Sequence, residues 1–393
     1  MTSAAPFDLT LPATNYRFGL VSTYPPNICG LATFAAALEG ELKRAGHRVD
    51  VVRIDDGDEK PPVGRPVVAE LVNGLPSSIR NAAAVLSRCD VAIVQHEYGI
   101  YGGVDGDEVI DLLKMLEVPT VVILHTVPLE PTPHQRFLLV EIGQIADRVV
   151  VMSQTARDRL TAEYPIDHSK VVTIPHGASI PTCEQRKEVD RLRSGRPDLL
   201  TWGLLGPGKG IEHALDALAL LADLPRRPRY TVAGVTHPKV FARHGDLYRR
   251  WLIERARAVG VAGTVTFDDS YRDLGQLTRF VVSASAVVLP YDSREQVTSG
   301  VLVDAIAAGR PVIATAFPHA IELLGSGAGI VVPHADPVAL ADAIRLILSD
   351  DDALTSMAAE ARRLAPSLSW SAVARQYIDL TDDLVPAGAA VAG

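Results

Sequence analysis

The chain has 393 residues, of which 47% are hydrophobic, and a formal net charge of −9. That length is about two to three times a typical domain, so we expect two domains with separate cores. The negative charge argues against a dedicated nucleic-acid binder and against electrostatic attachment to anionic lipid, but it is compatible with a small polar or anionic ligand in a local pocket.

Three cysteines, Cys29, Cys89 and Cys183, lie far apart in the chain, which favours free thiols in a reducing compartment over a disulfide framework. No Cys/His cluster in the sequence indicates a structural metal. Residues 1–15 lack a cationic start followed by a long apolar core, and no apolar run has the length of a membrane span. We therefore expect a soluble, cytoplasmic protein, whose oligomeric state the sequence leaves open.

The first predicted unit is a strand, a turn and a helix between Arg17 and Ala45. An apolar strand covers residues 18–24, and the turn that follows it ends at Gly30. The next helix has apolar residues at helical spacing, and Gly46 ends it as a C′ glycine. Short β-rich runs then alternate with helical stretches, and they predict strands at residues 49–54, 90–94, 119–124, 148–152 and 171–174.

The second half of the chain repeats this unit. An apolar strand at residues 199–205 leads into a glycine-rich turn at residues 206–210 and an amphipathic helix. Such alternation is typical of a parallel sheet that helices cover on both faces. The predicted fold class is therefore α/β, with two doubly wound, Rossmann-like domains facing one cleft. Further strands of the second domain are predicted at residues 229–233, 264–267, 286–290, 311–315 and 329–332.

The boundary between the domains is predicted within residues 182–197, which are rich in charge and lack a strand pattern. We assign residues 1–185 to the first domain, residues 186–368 to the second, and residues 369–393 to a last helix with a tail that frays after residue 385. Both glycine turns lie where a strand becomes a helix, so backbone N–H groups and the helix dipole can meet an anion there.

Four motifs in order along the chain, at residues 24–30, 174–177, 203–210 and 305–315, resemble the family 4 (group 1) glycosyltransferases. The turn Gly-Pro-Gly-Lys-Gly and the later Glu-Gln-Val-Thr-Ser-Gly suggest one branch of that family. The resemblance implies the GT-B fold, an acceptor on the first domain, a sugar nucleotide on the second, and a last helix that crosses back to the first. It also implies transfer with retention of anomeric configuration and no requirement for a metal or other cofactor.

The resemblance implies that Lys209, with the helix-start amides at Gly30, Gly208 and Gly210, stabilises the departing diphosphate. This agrees with the chemistry of the residues, because a leaving diphosphate gains negative charge and needs fixed positive charge or aligned N–H dipoles. A solvated surface lysine and a simple turn glycine are the plain alternatives for Lys209 and Gly30. Leu204 occupies the place of an arginine that usually accompanies the lysine, and Arg294 is one residue that can replace it.

Histidines close two strands of the first predicted sheet at the carboxyl edge, where open α/β folds bind ligands. In similar enzymes a histidine at the position of His125 lies beside the donor sugar; the alternative is a buried histidine bonded to nearby backbone. Four residues are assigned to bind the hydroxyl groups of the acceptor: Tyr24, His96, Glu97 and Tyr98. The alternative is that they are ordinary loop residues.

The donor sugar and ribose are assigned to the segment before the helix that Gly309 ends. The common family pattern has two glutamates eight residues apart, and here Gln296 and Asp304 take their places, with Glu295 displaced by one. Gln296 can bond a sugar hydroxyl but carries no charge, and Asp304 would hold the ribose. His237 is either a site residue of this branch or a loop histidine. The remaining residues assigned to the donor are Val297, Thr298, Ser299 and Gly300.

The sequence thus predicts a glycosyltransferase that passes a hexose to a soluble hydroxyl acceptor. Mannose from GDP-mannose is the first choice of donor and glucose from UDP-glucose the second. A catalytically silent sugar-nucleotide-binding subunit is one alternative, because Leu204 and Gln296 both remove expected charge. A sugar-nucleotide epimerase of the same fold is the other, although no set of acids and histidine for proton abstraction is evident.

Overall fold

Two parallel β-sheets dominate the computed structural model, which describes residues 15–55, 63–192, 195–270 and 272–385. Each sheet belongs to one half of the chain, so the predicted α/β class is confirmed. The strands of the first sheet are β1 (Arg17–Ser22), β2 (Arg48–Asp55), β3 (Val67–Val72), β4 (Val91–His96), β5 (Thr120–Leu124), β6 (Arg148–Val151) and β7 (Val171–Thr173). Those of the second are β8 (Asp198–Trp202), β9 (Arg229–Ala233), β10 (Val265–Asp268), β11 (Ala286–Leu289), β12 (Val312–Thr315) and β13 (Gly329–Val332).

Helices alternate with the strands, as the sequence pattern predicts. In the first half these are α1 (Gly30–Arg44), α2 (Pro76–Leu86), α3 (Glu108–Met115), α4 (Pro133–Ile145) and α5 (Gln154–Glu163). The rest of the described chain contains α6 (Cys183–Leu192), α7 (Ile211–Ala219), α8 (Pro238–His244), α9 (Leu247–Ala258), α10 (Leu274–Ser283), α11 (Gly300–Ala307), α12 (Pro318–Leu324), α13 (Pro337–Ser349), α14 (Asp351–Leu364) and α15 (Trp370–Leu384). Among these, no helix combines the length and the apolar character needed to cross a bilayer.

Both sheets are doubly wound. The first has the order β3-β2-β1-β4-β5-β6-β7 and the second β10-β9-β8-β11-β12-β13. Strand order reverses beside β1 in the first sheet and beside β8 in the second, which leaves a crevice at the carboxyl ends of these strands. The turns at residues 23–30 and 203–210 follow β1 and β8 directly, so the topology puts both predicted phosphate turns at switch points.

Strand β3 was absent from the sequence prediction. Its burial alternates along the strand, as expected for the edge of a sheet, and Glu70 interrupts its apolar run. The Glu70 carboxylate forms an ion pair with Arg53, a nearly fully buried residue of β2. An apolar-run criterion misses this strand because its polar residue gains a partner only when the sheet forms.

The predicted linker stretch is largely helical. Helix α6 occupies residues 183–192 of it and packs against α10 of the second domain. At the other end of the chain, α15 packs against α1, and Trp370, Val373 and Tyr377 share a core with Phe18 and Phe34. The last helix therefore returns to the first domain. The predicted fraying of residues 386–393 and the prediction for residues 1–14 lie outside the described residues.

Candidate functional site

The first glycine turn leads into α1 without strain at Gly30. An added Cβ on Gly30 would have no atom within 4 Å, and its backbone is not in the left-handed region. The Cys29 sulfur caps the helix by accepting from the Ala32 N–H at 3.4 Å. Neither packing nor conformation therefore demands a glycine, and the open space above Gly30 fits close approach of a ligand.

Tyr24 has a different position from the one its acceptor assignment requires. Its side chain is buried in the core of the first domain, and its hydroxyl donates to Glu39 of α1 at 3.4 Å. Burial and the neighbouring Glu39 carboxylate raise the pKa of Tyr24. We conclude that Tyr24 supports the turn from below, since its polar atom is already bonded within the domain.

His125 follows β5 and is held by the neighbouring strand. Its Nε2 lies 2.7 Å from Oε1 of Gln95 on β4, and its ring packs edge-on against Phe34 at 5.3 Å between centroids. A carboxamide oxygen only accepts, so Nε2 carries the hydrogen and Nδ1 remains an acceptor. Burial, with smaller effects from His176 and His96, lowers the pKa of His125 to about 3, so the ring is neutral at physiological pH.

The end of β4 holds a buried polar cluster. His96 is completely buried, and neither of its ring nitrogens has a hydrogen-bond partner among the described residues. The Tyr98 hydroxyl is likewise buried without a partner in the described chain. Glu97 accepts from the Thr126 hydroxyl at 2.6 Å and from the Tyr98 N–H at 3.0 Å, and burial raises its pKa. Buried polar atoms without partners are rare, so the end of β4 has unused hydrogen-bonding capacity.

The second glycine turn requires its glycines. Gly208 has a φ of +88° and Gly210 a φ of +60°, and a Cβ on Gly210 would lie 1.8 Å from the carbonyl oxygen of Pro290. Gly210 precedes α7, and no side chain caps that helix. The turn is anchored by the Asp292 N–H, which donates to the Gly208 carbonyl at 3.0 Å. Its geometry therefore depends on backbone that only glycine adopts readily.

Lys209 is the cation of this turn. Its ammonium lies 4.4 Å from the centroid of the Tyr291 ring, which in turn stacks on Phe317. In the described part of the chain no carboxylate lies within ion-pair distance of this half-buried ammonium, and burial lowers its pKa. A desolvated cation with only an aromatic face beside it gains strongly from an incoming anion. Leu204 is half-buried, and Arg294 is exposed.

The segment 296–300 lies against the first domain. The Gln296 amide donates to the Thr298 carbonyl at 3.0 Å, and Thr298 has a buried hydroxyl without a partner among the described residues. Ser299 caps α11, since its hydroxyl oxygen accepts from the Leu302 N–H at 3.3 Å. The Val297 side chain belongs to the hydrophobic core of the first domain, so it joins the domains and does not support the sugar contact assigned to it.

Two histidines that sequence reasoning left out of the site complete it. His176 packs against Phe34 and Trp370, and a Cβ on Gly300 would lie 2.8 Å from its Nε2. His319 accepts from the Ser299 N–H through Nδ1 at 2.9 Å. Burial lowers the pKa of each histidine to about 4. The signal was present in the sequence, since each follows a proline just after a strand: Pro175 after β7 and Pro318 after β12.

Ring contacts join four side chains into one aromatic layer, which we call the histidine layer: Phe34, His125, His176 and Trp370. Phe34 touches the rings of both His125 and His176, and His176 meets Gly300 of the second domain. The structure therefore brings His125 of the first domain to the segment that carries the predicted sugar contacts. His237 is not placed as a free site residue, because its Nδ1 accepts from the Lys239 N–H and caps α8.

Asp304 lies near the middle of α11. Its carboxylate makes no hydrogen bond with another described residue, and burial raises its pKa from 3.8 to about 7. A half-buried carboxylate without a donor favours ligands that bring hydroxyl donors. This property agrees with the predicted contact to a ribose.

Hydrogen bonds from backbone N–H groups to acidic side chains hold the domains together. The Glu322 carboxylate of α12 accepts from the N–H groups of Gln154 and Thr155 at 2.8 Å each, so it caps α5 of the first domain. Glu295, one residue before Gln296, accepts from the Leu129 N–H at 3.2 Å. Glu295 therefore acts as a link between domains in this structure, which leaves the neutral Gln296 at the aligned position.

Within the described chain, three side chains are close enough to share a metal ion. Glu212, His213 and Asp292 each offer a ligand atom within 4.8 Å of the others. His213 and Asp292 are 3.2 Å apart, and the Tyr248 hydroxyl donates to Glu212 at 2.7 Å, so each already has a polar partner. The predicted independence from metal stays a prediction.

Two doubly wound domains, each with a glycine turn at its switch point, form the fold expected of the GT-B enzymes. The family described as "Glycosyltransferase Family 4" matches residues 28–180, and the family "Glycosyl transferases group 1" matches residues 196–350. The chain belongs to the family 4, group 1 glycosyltransferases.

Curated relatives carry a more specific name. A D-inositol 3-phosphate glycosyltransferase of Kineococcus radiotolerans is 28% identical over 266 residues, which cover 61% of this chain and 58% of the relative. The protein of the same name from Frankia alni is 30% identical over 274 residues, or 66% of this chain and 65% of the relative. The matches thus span less than two thirds of the length of these relatives.

Solved structures support the fold. HepE from Anabaena in complex with UDP superposes with a TM-score of 0.74 at 17% identity, covering 94% of this chain and all of HepE. A sucrose-phosphate synthase from Thermosynechococcus elongatus gives a TM-score of 0.70 at 20% identity, covering 94% of this chain and 99% of the synthase. The agreement spans both domains, which confirms the predicted GT-B fold.

Proposed function

We propose that the chain is a retaining glycosyltransferase that transfers a hexose from a nucleoside-diphosphate sugar to a hydroxyl of a soluble acceptor. The proposal rests on the environment of Lys209. Its half-buried ammonium at a glycine turn has an aromatic ring beside it and no acidic partner among the described residues. A diphosphate supplies the missing negative charge, and its charge grows as the bond to the sugar breaks.

The sugar of the donor would lie between Lys209 and the histidine layer. His125 and His176 each have one ring nitrogen already bonded, at 2.7 Å to Gln95 and to the Gly177 carbonyl respectively. Their other nitrogens are acceptors for sugar hydroxyls, and the low pKa values keep them neutral. A neutral ring orients the sugar and does not compete with Lys209 for the diphosphate.

The buried cluster of His96, Glu97 and Tyr98 is the proposed acceptor site. Its unpartnered polar atoms suit an acceptor rich in hydroxyls. The relatives named D-inositol 3-phosphate glycosyltransferase make a cyclitol phosphate the first acceptor to test. Both GDP-mannose and UDP-glucose are retained as donors, and the UDP complex of HepE makes a uridine nucleotide the first nucleotide to test.

Thermal unfolding with GDP-mannose, UDP-glucose, GDP and UDP tests this proposal first. A ligand that binds only the folded state raises stability by about 2.7 kcal/mol at one hundred times its Kd. We expect one nucleotide family to raise Tm. The donor so identified is then incubated with candidate acceptors, nucleotide release is measured, and proton NMR reads the anomeric configuration of the product. No shift with any nucleotide contradicts the proposed donor and favours a different role for the cleft.

The pH dependence of donor binding provides a separate prediction at Asp304. The ribose hydroxyls would donate to the ionised carboxylate, whose pKa is raised to about 7 by burial. We therefore expect affinity for the intact nucleotide sugar to rise with pH through about 7 and to level off above it. Asp304→Asn should remove this dependence and bind less tightly at pH 8. Titration calorimetry between pH 5.5 and 8.5 measures both effects.

The same substitution should change stability in the opposite direction. A carboxyl with a pKa of about 7 when folded and 3.8 when exposed stabilises the folded state below pH 4 and loses that contribution as pH rises to 7. Asp304→Asn should therefore leave stability unchanged at pH 3.5 and raise it at pH 8, by up to roughly 4 kcal/mol. Asp342→Asn, an exposed change on α13, is the matched control. If wild type and Asp304→Asn bind the nucleotide sugar with equal affinity at pH 8, Asp304 does not contact the ribose.

A further inference from the structure

The diphosphate turn has one cation where the family pattern has two, because Leu204 stands in the place of an arginine. The residues that flank this turn come from the segment after β9. The Leu205 N–H donates to the Val235 carbonyl at 2.8 Å, and the His237 N–H donates back to the Leu205 carbonyl at 2.8 Å. The 235–237 segment thus runs beside the turn, and Lys239 follows it two residues later.

Lys239 extends from this flank across the cleft. Its ammonium donates to the carbonyl of Gly99, a residue of the first domain, at 2.9 Å. Gly99 follows the proposed acceptor cluster of residues 96–98 directly. Lys239 is exposed, and in the described chain no carboxylate lies within ion-pair distance of it. A neutral carbonyl is a weak partner for an ammonium compared with a phosphate oxygen.

Electrostatic effects tie Lys239 to both sides of the cleft. Both Lys239 and Lys209 contribute to lowering the pKa of His237, although burial is the larger cause. The charge of Lys239 also opposes the rise that burial causes in the pKa of Glu97. Lys239 and Lys209 therefore both lie close enough to His237 to influence its charge, one from the glycine turn and one from its flank.

We propose that Lys239 is the second cation of the diphosphate site and that its ammonium binds a phosphate oxygen of the nucleoside diphosphate in the absence of an arginine at position 204. This inference rests on the proposed function. It explains how a turn with Leu204 can still hold a dianionic group. Because the Lys239 ammonium also contacts Gly99, donor binding would be coupled to the acceptor side of the cleft.

The test compares ligands with and without phosphates. Titration calorimetry measures the affinities of UDP and uridine, or of GDP and guanosine if the guanine nucleotide binds, for wild type, Lys239→Ala and Lys239→Arg. We expect Lys239→Ala to weaken diphosphate binding about tenfold or more, as loss of one charge-assisted hydrogen bond implies, and to leave nucleoside binding unchanged. Lys239→Arg should restore most of the affinity. Lys187→Ala, at an exposed lysine of α6, should match wild type.

Three results would overturn the inference. Unchanged diphosphate affinity in Lys239→Ala shows that the ammonium does not contact phosphate. Equal weakening of the diphosphate and the nucleoside shows that Lys239 acts only as a link between the domains. If the wild-type protein binds neither diphosphate, the proposed function fails as well, so the two failures are distinguishable.

Discussion

Replacing Lys209 by alanine should abolish the rise in Tm that the donor nucleotide causes and lower kcat/KM by about 10²- to 10³-fold. The half-buried ammonium has no acidic partner among the described residues and lies 4.4 Å from the centroid of the Tyr291 ring, so a bound anion would be its first partner of opposite charge. Because that charge develops further in the transition state, the loss should appear in kcat and in donor affinity together. Differential scanning fluorimetry and initial-rate kinetics measure the two effects.

The stability of the free protein separates this role from a structural one. Burial lowers the pKa of Lys209 because the charged ammonium loses contact with water when the protein folds. Lys209→Ala should therefore keep or slightly raise Tm without ligand. Lys187→Ala, which removes a lysine from the surface of α6, should change neither Tm nor kinetics. A nucleotide shift that survives in Lys209→Ala would contradict the assignment and leave the backbone amides of the turn as the anion site.

Replacing Trp370 by alanine should lower the free energy of unfolding by about 3–5 kcal/mol. Trp370 is 6% exposed, and its ring packs edge-on against Phe34 at 4.9 Å between centroids. A Cβ on Gly177 would lie 2.2 Å from this ring, so the indole fills the space beside that turn. Loss of the indole leaves a cavity under Phe34 and His176, which support the proposed sugar site, so activity should fall with stability. Urea unfolding followed by circular dichroism measures the change.

Trp251→Ala provides the matched control for Trp370→Ala. Trp251 on α9 is 49% exposed, and its ring stacks on Tyr248 at 6.0 Å between centroids. An exposed aromatic residue contributes little burial, so this change should cost about 1 kcal/mol or less and leave activity intact. Similar losses from both substitutions would show that α15 does not hold the first domain and the histidine layer in place.

The neutral charge state of the histidines is a feature of the site that the sequence does not predict. The pKa values of His125, His176 and His319 are lowered to between about 3 and about 4, chiefly by burial. Protonation of any of them would add a positive charge beside the proposed sugar site, where it would compete with Lys209 for the diphosphate. Their neutrality is therefore as important as their position, because it directs the diphosphate to one place.

The residues assigned from sequence fall into two groups in the structure. Gly210 and Lys209 lie where the sequence predicts, in the turn between β8 and α7, because a positive φ and a lysine between glycines are local properties, readable from a few neighbouring residues. Tyr24 and Val297 lie away from the contacts assigned to them. The Tyr24 hydroxyl bonds to Glu39, and the Val297 side chain enters the core of the other domain. Both outcomes depend on partners that are remote or on another face, which a motif does not encode.

Strand and helix periods and glycine conformations act over a few residues, so the two doubly wound domains, the glycine turns and the lysine at position 209 are readable from the sequence. Which side chains cross between the domains depends on tertiary packing, with Glu322 capping α5 and Lys239 reaching Gly99. The protonation of the histidines and of Asp304 depends on the same packing. These properties depend on burial and on contacts between residues far apart in the chain, so they exist only once the two domains have packed together.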